Sequence, residues 1–83
     1  MDSGLCDRYQ QAVVEAVAVT SLSPHELWLR YLALAGTADA WEVEGYLCGL
    51  MTLEALEHNI LAEAVNERLE ELGHRPAAPY RVG

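Results

Sequence analysis

Five side chains in this sequence are of the types that hold metals or act as nucleophiles: Cys6, Cys48, His25, His58 and His74. Structural metal sites need such ligands in tight sets, as in C-x-x-C or H-x-x-x-H, so that short loops and helix turns converge them. None of the five falls in such a spacing. A cysteine nucleophile needs a histidine beside it, held by a third group, and no local pattern supplies that arrangement. Two cysteines do not make a disulfide framework, and free thiols are the expectation. Ser21, Ser23, Thr37 and Thr52 read as helix caps rather than as nucleophiles. The sequence therefore predicts no catalytic residue, no metal and no cofactor.

The carboxylates are more informative. Six glutamates and one arginine lie between Glu54 and Glu71. Glu63 and Glu67 are four residues apart, as are Glu67 and Glu71, so like charges stack on one helix face and repel by a few tenths of a kcal/mol per pair. Acid–base chemistry needs carboxylates in a cleft that shifts their pKa values, and an exposed helix face offers none. The other reading is a docking face for a basic protein segment. The candidate partner-binding set is Glu63, Glu67 and Glu70, joined by the neighbouring apolar residues Val65 and Leu69. On the same polar side the sequence places Asn59 and Asn66.

Two further motifs compete. Gly45 and Gly49 are spaced like part of a phosphate loop, but no lysine follows and no strand precedes. Residues 41–52, from Trp41 to Thr52, loosely follow a helix-turn-helix, with Gly45 and Leu50 at the small and apolar positions. The helix that would enter DNA then begins Leu53-Glu54-Ala55-Leu56-Glu57-His58-Asn59, which sets carboxylates where base readers place Arg, Lys, Asn or Gln. Trp28, Tyr31, Trp41 and Tyr46 are candidates for an aromatic-lined ligand pocket, although aromatics at helical spacing more commonly fill a core.

Charge limits the partners. The formal net charge is −8, there is no lysine, and the five cations are Arg8, Arg30, Arg68, Arg75 and Arg81. Such a field repels nucleic-acid phosphates and anionic lipid and favours a protein with a basic surface. Abundant Ala, Leu and Glu without lysine fits the coding bias of a GC-rich bacterium. The N-terminal Met1-Asp2-Ser3-Gly4 lacks the basic and apolar regions of a secretory signal. No apolar run approaches the roughly 20 residues that span a bilayer. A cytoplasmic protein that binds neither nucleic acid nor membrane is the expectation.

These side chains must be positioned by helices. With 83 residues, 52% of them hydrophobic, the chain has material for one core and one domain. Tyr9, Ala12, Val13, Ala16 and Val17 recur at helical spacing between Asp7 and Thr20. Val13, Val17 and Val19 with Glu15 also alternate, a weaker strand signal. Ser23-Pro24-His25-Glu26 is a capping box with proline in the first turn, and Gly36 is the expected left-handed stop. Thr37 is the expected cap of a third, short helix ending near Gly49. Thr52 is the expected cap of a long helix from Leu53 to Leu72, closed by Gly73.

The apolar residues of that last helix sweep roughly 220° at 100° per residue, where one ordinary core needs little more than about 100°. Either the helix is central, or Val65 and Leu69 face a second subunit or partner. The predicted fold is all-α, a compact bundle of four helices, three short and one long. Residues 1–73 form the domain and residues 74–83 a proline-punctuated tail that Tyr80 could anchor. The predicted function is a non-catalytic regulator or adaptor acting by protein–protein binding, in bacterial transcription or signalling, and forming a homodimer through the long helix. The alternatives are a helix-turn-helix regulator and a small-molecule sensor.

Overall fold

The computed structural model describes residues 7–81 and holds four helices, with no strand among the described residues. They are α1 (Arg8–Thr20), α2 (Pro24–Ala33), α3 (Ala40–Leu47) and α4 (Ala55–Glu71). α4 packs against α1 and α2, and α3 packs against the same two. The chain is an all-α bundle of three short helices and one long one, and the alternating valines of α1 are helical.

Local chemistry sets most boundaries. Asp7 caps α1 by accepting the Gln10 amide at 2.9 Å. Ser23 and Glu26 form the reciprocal box at the start of α2, accepting the Glu26 and Ser23 amides at 3.1 and 2.8 Å. α4 ends on Gly73, in the left-handed region at φ 84°. The amides of Gly73 and His74 return to the carbonyls of Glu70 and Leu69, closing the last turn.

Three boundaries differ from the sequence reading. The left-handed residue after α2 is Ala35, at φ 75°, not Gly36. Gly36 is needed for a different reason: a Cβ there would lie 2.3 Å from Cζ of Tyr31. Asp39, not Thr37, precedes α3, and its amide is taken by the Glu42 carboxylate at 2.9 Å. Thr52 stands two residues outside α4, whose N-cap is Glu54 without a side-chain bond. Thr37 is diverted to a tertiary contact, described below. Ser21 is the left-handed C-cap of α1, at φ 61°.

The core joins Val13 and Ala16 of α1, Leu27 and Tyr31 of α2, Val43 and Tyr46 of α3, and Leu61, Ala62, Ala64, Val65 and Leu69 of α4. Alanines let the helices approach closely, and with no phenylalanine in the chain the two fully buried tyrosines supply the bulk. Val65 and Leu69 are 0% and 1% exposed. The centre of the apolar face of α4 is thus internal, while Leu56 and Leu72 at its two ends are exposed. Neither residue is available to a second chain, which corrects their place in the predicted partner-binding set.

Candidate functional site

The polar side of α4 is not a bare solvated face. After Gly73 the chain reverses and runs back along α4 as an extended strap. Its backbone is held by side chains. Asn66 Oδ1 accepts the amides of Ala77 and Ala78, both at 2.9 Å, while its Nδ2 donates to the Ala78 carbonyl at 2.9 Å. Two turns earlier, Asn59 repeats the pattern on Arg81. Its Oδ1 accepts the Arg81 amide at 2.7 Å and its Nδ2 donates to the Arg81 carbonyl at 3.0 Å. Between them, His58 Nε2 lies 2.8 Å from the Pro79 carbonyl.

His58 is fully buried. A carbonyl only accepts, so Nε2 carries the proton, and Nδ1 accepts from the Tyr46 hydroxyl of α3. Burial pushes the His58 pKa below its ordinary value, and the nearby Arg81 guanidinium acts in the same direction. The Pro79 carbonyl pulls the other way, but burial is the larger effect, and acceptance of the Tyr46 hydroxyl at Nδ1 requires the neutral ring.

Side chains of the strap have their own seats. Ala78 is buried in the core. The Tyr80 hydroxyl donates to Glu63 at 2.7 Å. The Arg81 guanidinium pairs with Asp7 at 2.7 Å and lies over the Tyr9 ring, 5.1 Å from its centroid. Gln10, also buried, fixes the neighbouring wall by donating to the carbonyls of Tyr46 and Met51 at 2.6 and 3.1 Å.

A second polar centre lies where α2, the α2–α3 connection and α4 meet. The buried Tyr31 hydroxyl donates to Glu57 and accepts the amides of Thr37 and Ala38 at 3.1 and 2.8 Å. Thr37 also donates its hydroxyl to Glu57 at 3.0 Å. Burial, with the Glu57 carboxylate beside it, pushes the Tyr31 pKa up to about 12. The same hydrogen bond holds the Glu57 carboxyl below its ordinary range. Beside this centre is a depression of about 320 Å³ lined by Thr37, Ala38, Glu42, Thr52, Leu53, Glu54 and Glu57. Trp41, Leu50 and Leu56, which flank it in sequence, are 61%, 71% and 68% exposed.

The predicted site residues separate. Glu63 and Glu70 are exposed and Glu67 is partly buried, so these three do share the outer face of α4. Glu63 is engaged by Tyr80, and Glu71 is taken by Arg30 through two bonds of 2.9 Å and by Arg68 at 3.3 Å. Sequence reasoning missed Asn59, Asn66 and His58. One signal was available: asparagine is a poor helix former because its amide competes for backbone groups. Two asparagines seven residues apart inside a strong helix imply that both amides are occupied elsewhere.

The rival motifs take definite positions. Seven residues, 48–54, separate α3 from α4, against the three or four of a helix-turn-helix, and the two helix backbones do not pack on each other. Tyr31 and Tyr46 are core, Trp28 is half-buried and donates its indole to the Ala38 carbonyl at 3.0 Å, and none of the four aromatics lines the depression. Cys48 is exposed at the end of α3, and Cys6 lies outside the described residues. Among the described residues no three His, Cys, Asp or Glu side chains converge to hold a metal, and no helix is long and apolar enough to cross a membrane. Comparison with protein families, with characterised proteins and with solved structures finds no match to this chain.

Proposed function

We propose that this chain is a non-catalytic regulatory or adaptor module that works by binding a protein with a basic surface. The observation that carries the reading is the stretch of chain that lines and flanks the 320 Å³ depression. There Trp41, Leu50 and Leu56 expose most of their surface in the same part of the chain as Glu42, Glu54 and Glu57. Affinity between proteins rests on a few buried aromatic and aliphatic anchors, and an exposed tryptophan is the strongest such anchor here. Charge adds rate and selectivity rather than affinity. The net charge of −8 and the outer face of Glu63, Glu67 and Glu70 supply the steering field.

The test is affinity capture on the immobilised full chain, run side by side with Trp41→Ala and with the triple reversal of Glu63, Glu67 and Glu70 to Lys. A protein retained by the wild type should be lost from Trp41→Ala at any salt. From the reversed chain it should be lost chiefly through a slower on-rate, and salt should slow association with the wild type likewise. Retention that ignores both variants sinks the reading, as does sequence-specific binding of duplex DNA. Steering into transcription or signalling, and pairing as a homodimer, belong to the same proposal and are read from the captured partner and from sedimentation equilibrium.

A further inference from the structure

We propose that the groove occupied by the strap is a peptide-binding groove, and that it takes an extended Ala-Pro-Tyr-Arg-like segment of another protein in place of the chain's own residues 78–81. The inference rests on the binding-module reading but uses a different surface from the Trp41 end.

Recognition in the groove is directed at peptide backbone. Asn66 and Asn59 each grip one residue through both its amide and its carbonyl, and Asn66 takes a second amide besides. Seven residues of helix rise about 10.5 Å, and three residues of extended chain span about 10 Å. The two hooks are therefore in register with Ala78 and Arg81 of any extended segment. His58 reads the carbonyl between them.

Three side-chain seats add selectivity. The first is a small one for alanine, filled by Ala78. The second is for an aromatic hydroxyl, where Glu63 accepts from Tyr80 at 2.7 Å and Asn66 Nδ2 lies 3.4 Å away. The third is for a guanidinium, between Asp7 and the Tyr9 ring. Proline at the remaining position has no amide to satisfy and keeps the chain extended. A basic, proline-containing segment thus fits both the hooks and the acidic surround.

The resident strap is held chiefly by polar contacts. Apart from Ala78 it puts no residue into the core. Residues 74–77, which connect it to α4, are all exposed. Leaving would exchange these contacts for water and uncover His58 and Asn66, while the contacts among α1, α2, α3 and α4 do not pass through the strap. Intramolecular occupancy then sets a threshold, because a tethered segment competes at an effective concentration in the millimolar range.

The probe is the fluorescein-labelled, amidated peptide Arg-Pro-Ala-Ala-Pro-Tyr-Arg, titrated against full chains and followed by anisotropy. Arg81→Glu in the full chain loosens the strap at the Asp7 seat and should bind the peptide at least about tenfold more tightly than the wild type, because the tethered competitor is weakened. Adding Asn59→Ala should abolish that gain while circular dichroism stays helical. If Arg81→Glu fails to fold, Tyr80→Phe, which removes only the hydroxyl on Glu63, serves as the loosened chain. The wild type should bind saturably at millimolar peptide, with competition by unlabelled peptide and none by a scrambled one.

Equal binding by tight and loosened chains overturns the proposal, as does binding indifferent to Asn59→Ala. A dimer of the loosened chain in sedimentation equilibrium, dispersed by the peptide, also overturns it by identifying the occupant as a second copy. Failure here with Trp41-dependent capture intact removes the groove and leaves the adaptor reading standing. Peptide binding without Trp41-dependent capture does the reverse.

Discussion

His58 carries the most consequence of any single residue. It joins α4 to α3 through Tyr46 and to the strap through Pro79, and the bond accepted at Nδ1 needs the neutral ring. Its folded pKa lies below the ordinary 6.5, so the unfolded chain takes up a proton first as pH falls. The stabilisation from the neutral ring is complete above about pH 6.5 and is lost as pH drops toward the folded value. Denaturant unfolding should give a flat stability between pH 7 and 8 and a decline below about 6.5. His58→Gln, which keeps a donor and an acceptor but does not titrate, should flatten that decline at some cost in stability. A wild-type profile with no slope there would mean that the ring is not buried as described. In the sequence His58 is only a histidine without a metal-ligand or nucleophile spacing, and nothing there marks it as buried. Its burial depends on a reversal at Gly73 and on eight residues beyond it, and local periodicity holds no information about either.

Elements whose chemistry is local were legible, and those with tertiary competitors were not. Ser23 finds its partner three residues away, so spacing alone identifies the cap. Thr37 and Thr52 have the same residue type in the same apparent context, yet Thr37 is drawn to Glu57 on α4 and Thr52 lines the depression. Ser23→Ala should therefore destabilise the fold by about 1 kcal/mol, the ordinary worth of an N-cap. Thr52→Ala should change stability by less than about 0.5 kcal/mol, as at other surface positions without a special contact. Urea midpoints of the two variants separate them, and equal losses would reinstate Thr52 as a cap. The wide apolar sweep of α4 was read correctly as an excess. What resolves most of it is that α1 and α2 both pack on this helix while the strap covers the side that carries His58, Asn59 and Asn66.

At the scale of the molecule, burial decides what α4 does. Val65→Glu would place a carboxylate among Val13, Leu61 and the rest of the core, at a position with no solvent exposure. Removing a buried branched side chain costs about 1–3 kcal/mol, and an unpaired buried polar group adds to that. The expected outcome is loss of the far-ultraviolet helical signal. A helical Val65→Glu chain with altered sedimentation would instead place Val65 at a subunit interface. The whole-molecule charge works differently. The five arginines of a lysine-free chain are few, and three of them are committed: Arg30 and Arg68 to Glu71, and Arg81 to Asp7. The negative surface is therefore poorly neutralised from within, and it is the property that most narrows the class of partner.

Asp7 and Arg81 meet across 74 positions of chain. With the bundle folded, seating the strap means ordering residues 74–81 only, and the one core side chain it brings to offset that cost is Ala78. The strap is therefore expected to open separately from the rest. Native-state hydrogen exchange should find the amides of Ala77, Ala78 and Arg81 opening together, at a free energy well below that of the α4 amides beneath them. The bundle and its strap are then two cooperative units on one chain. The strap's own opening energy sets the fraction of molecules in which it is undocked while every helix is in place.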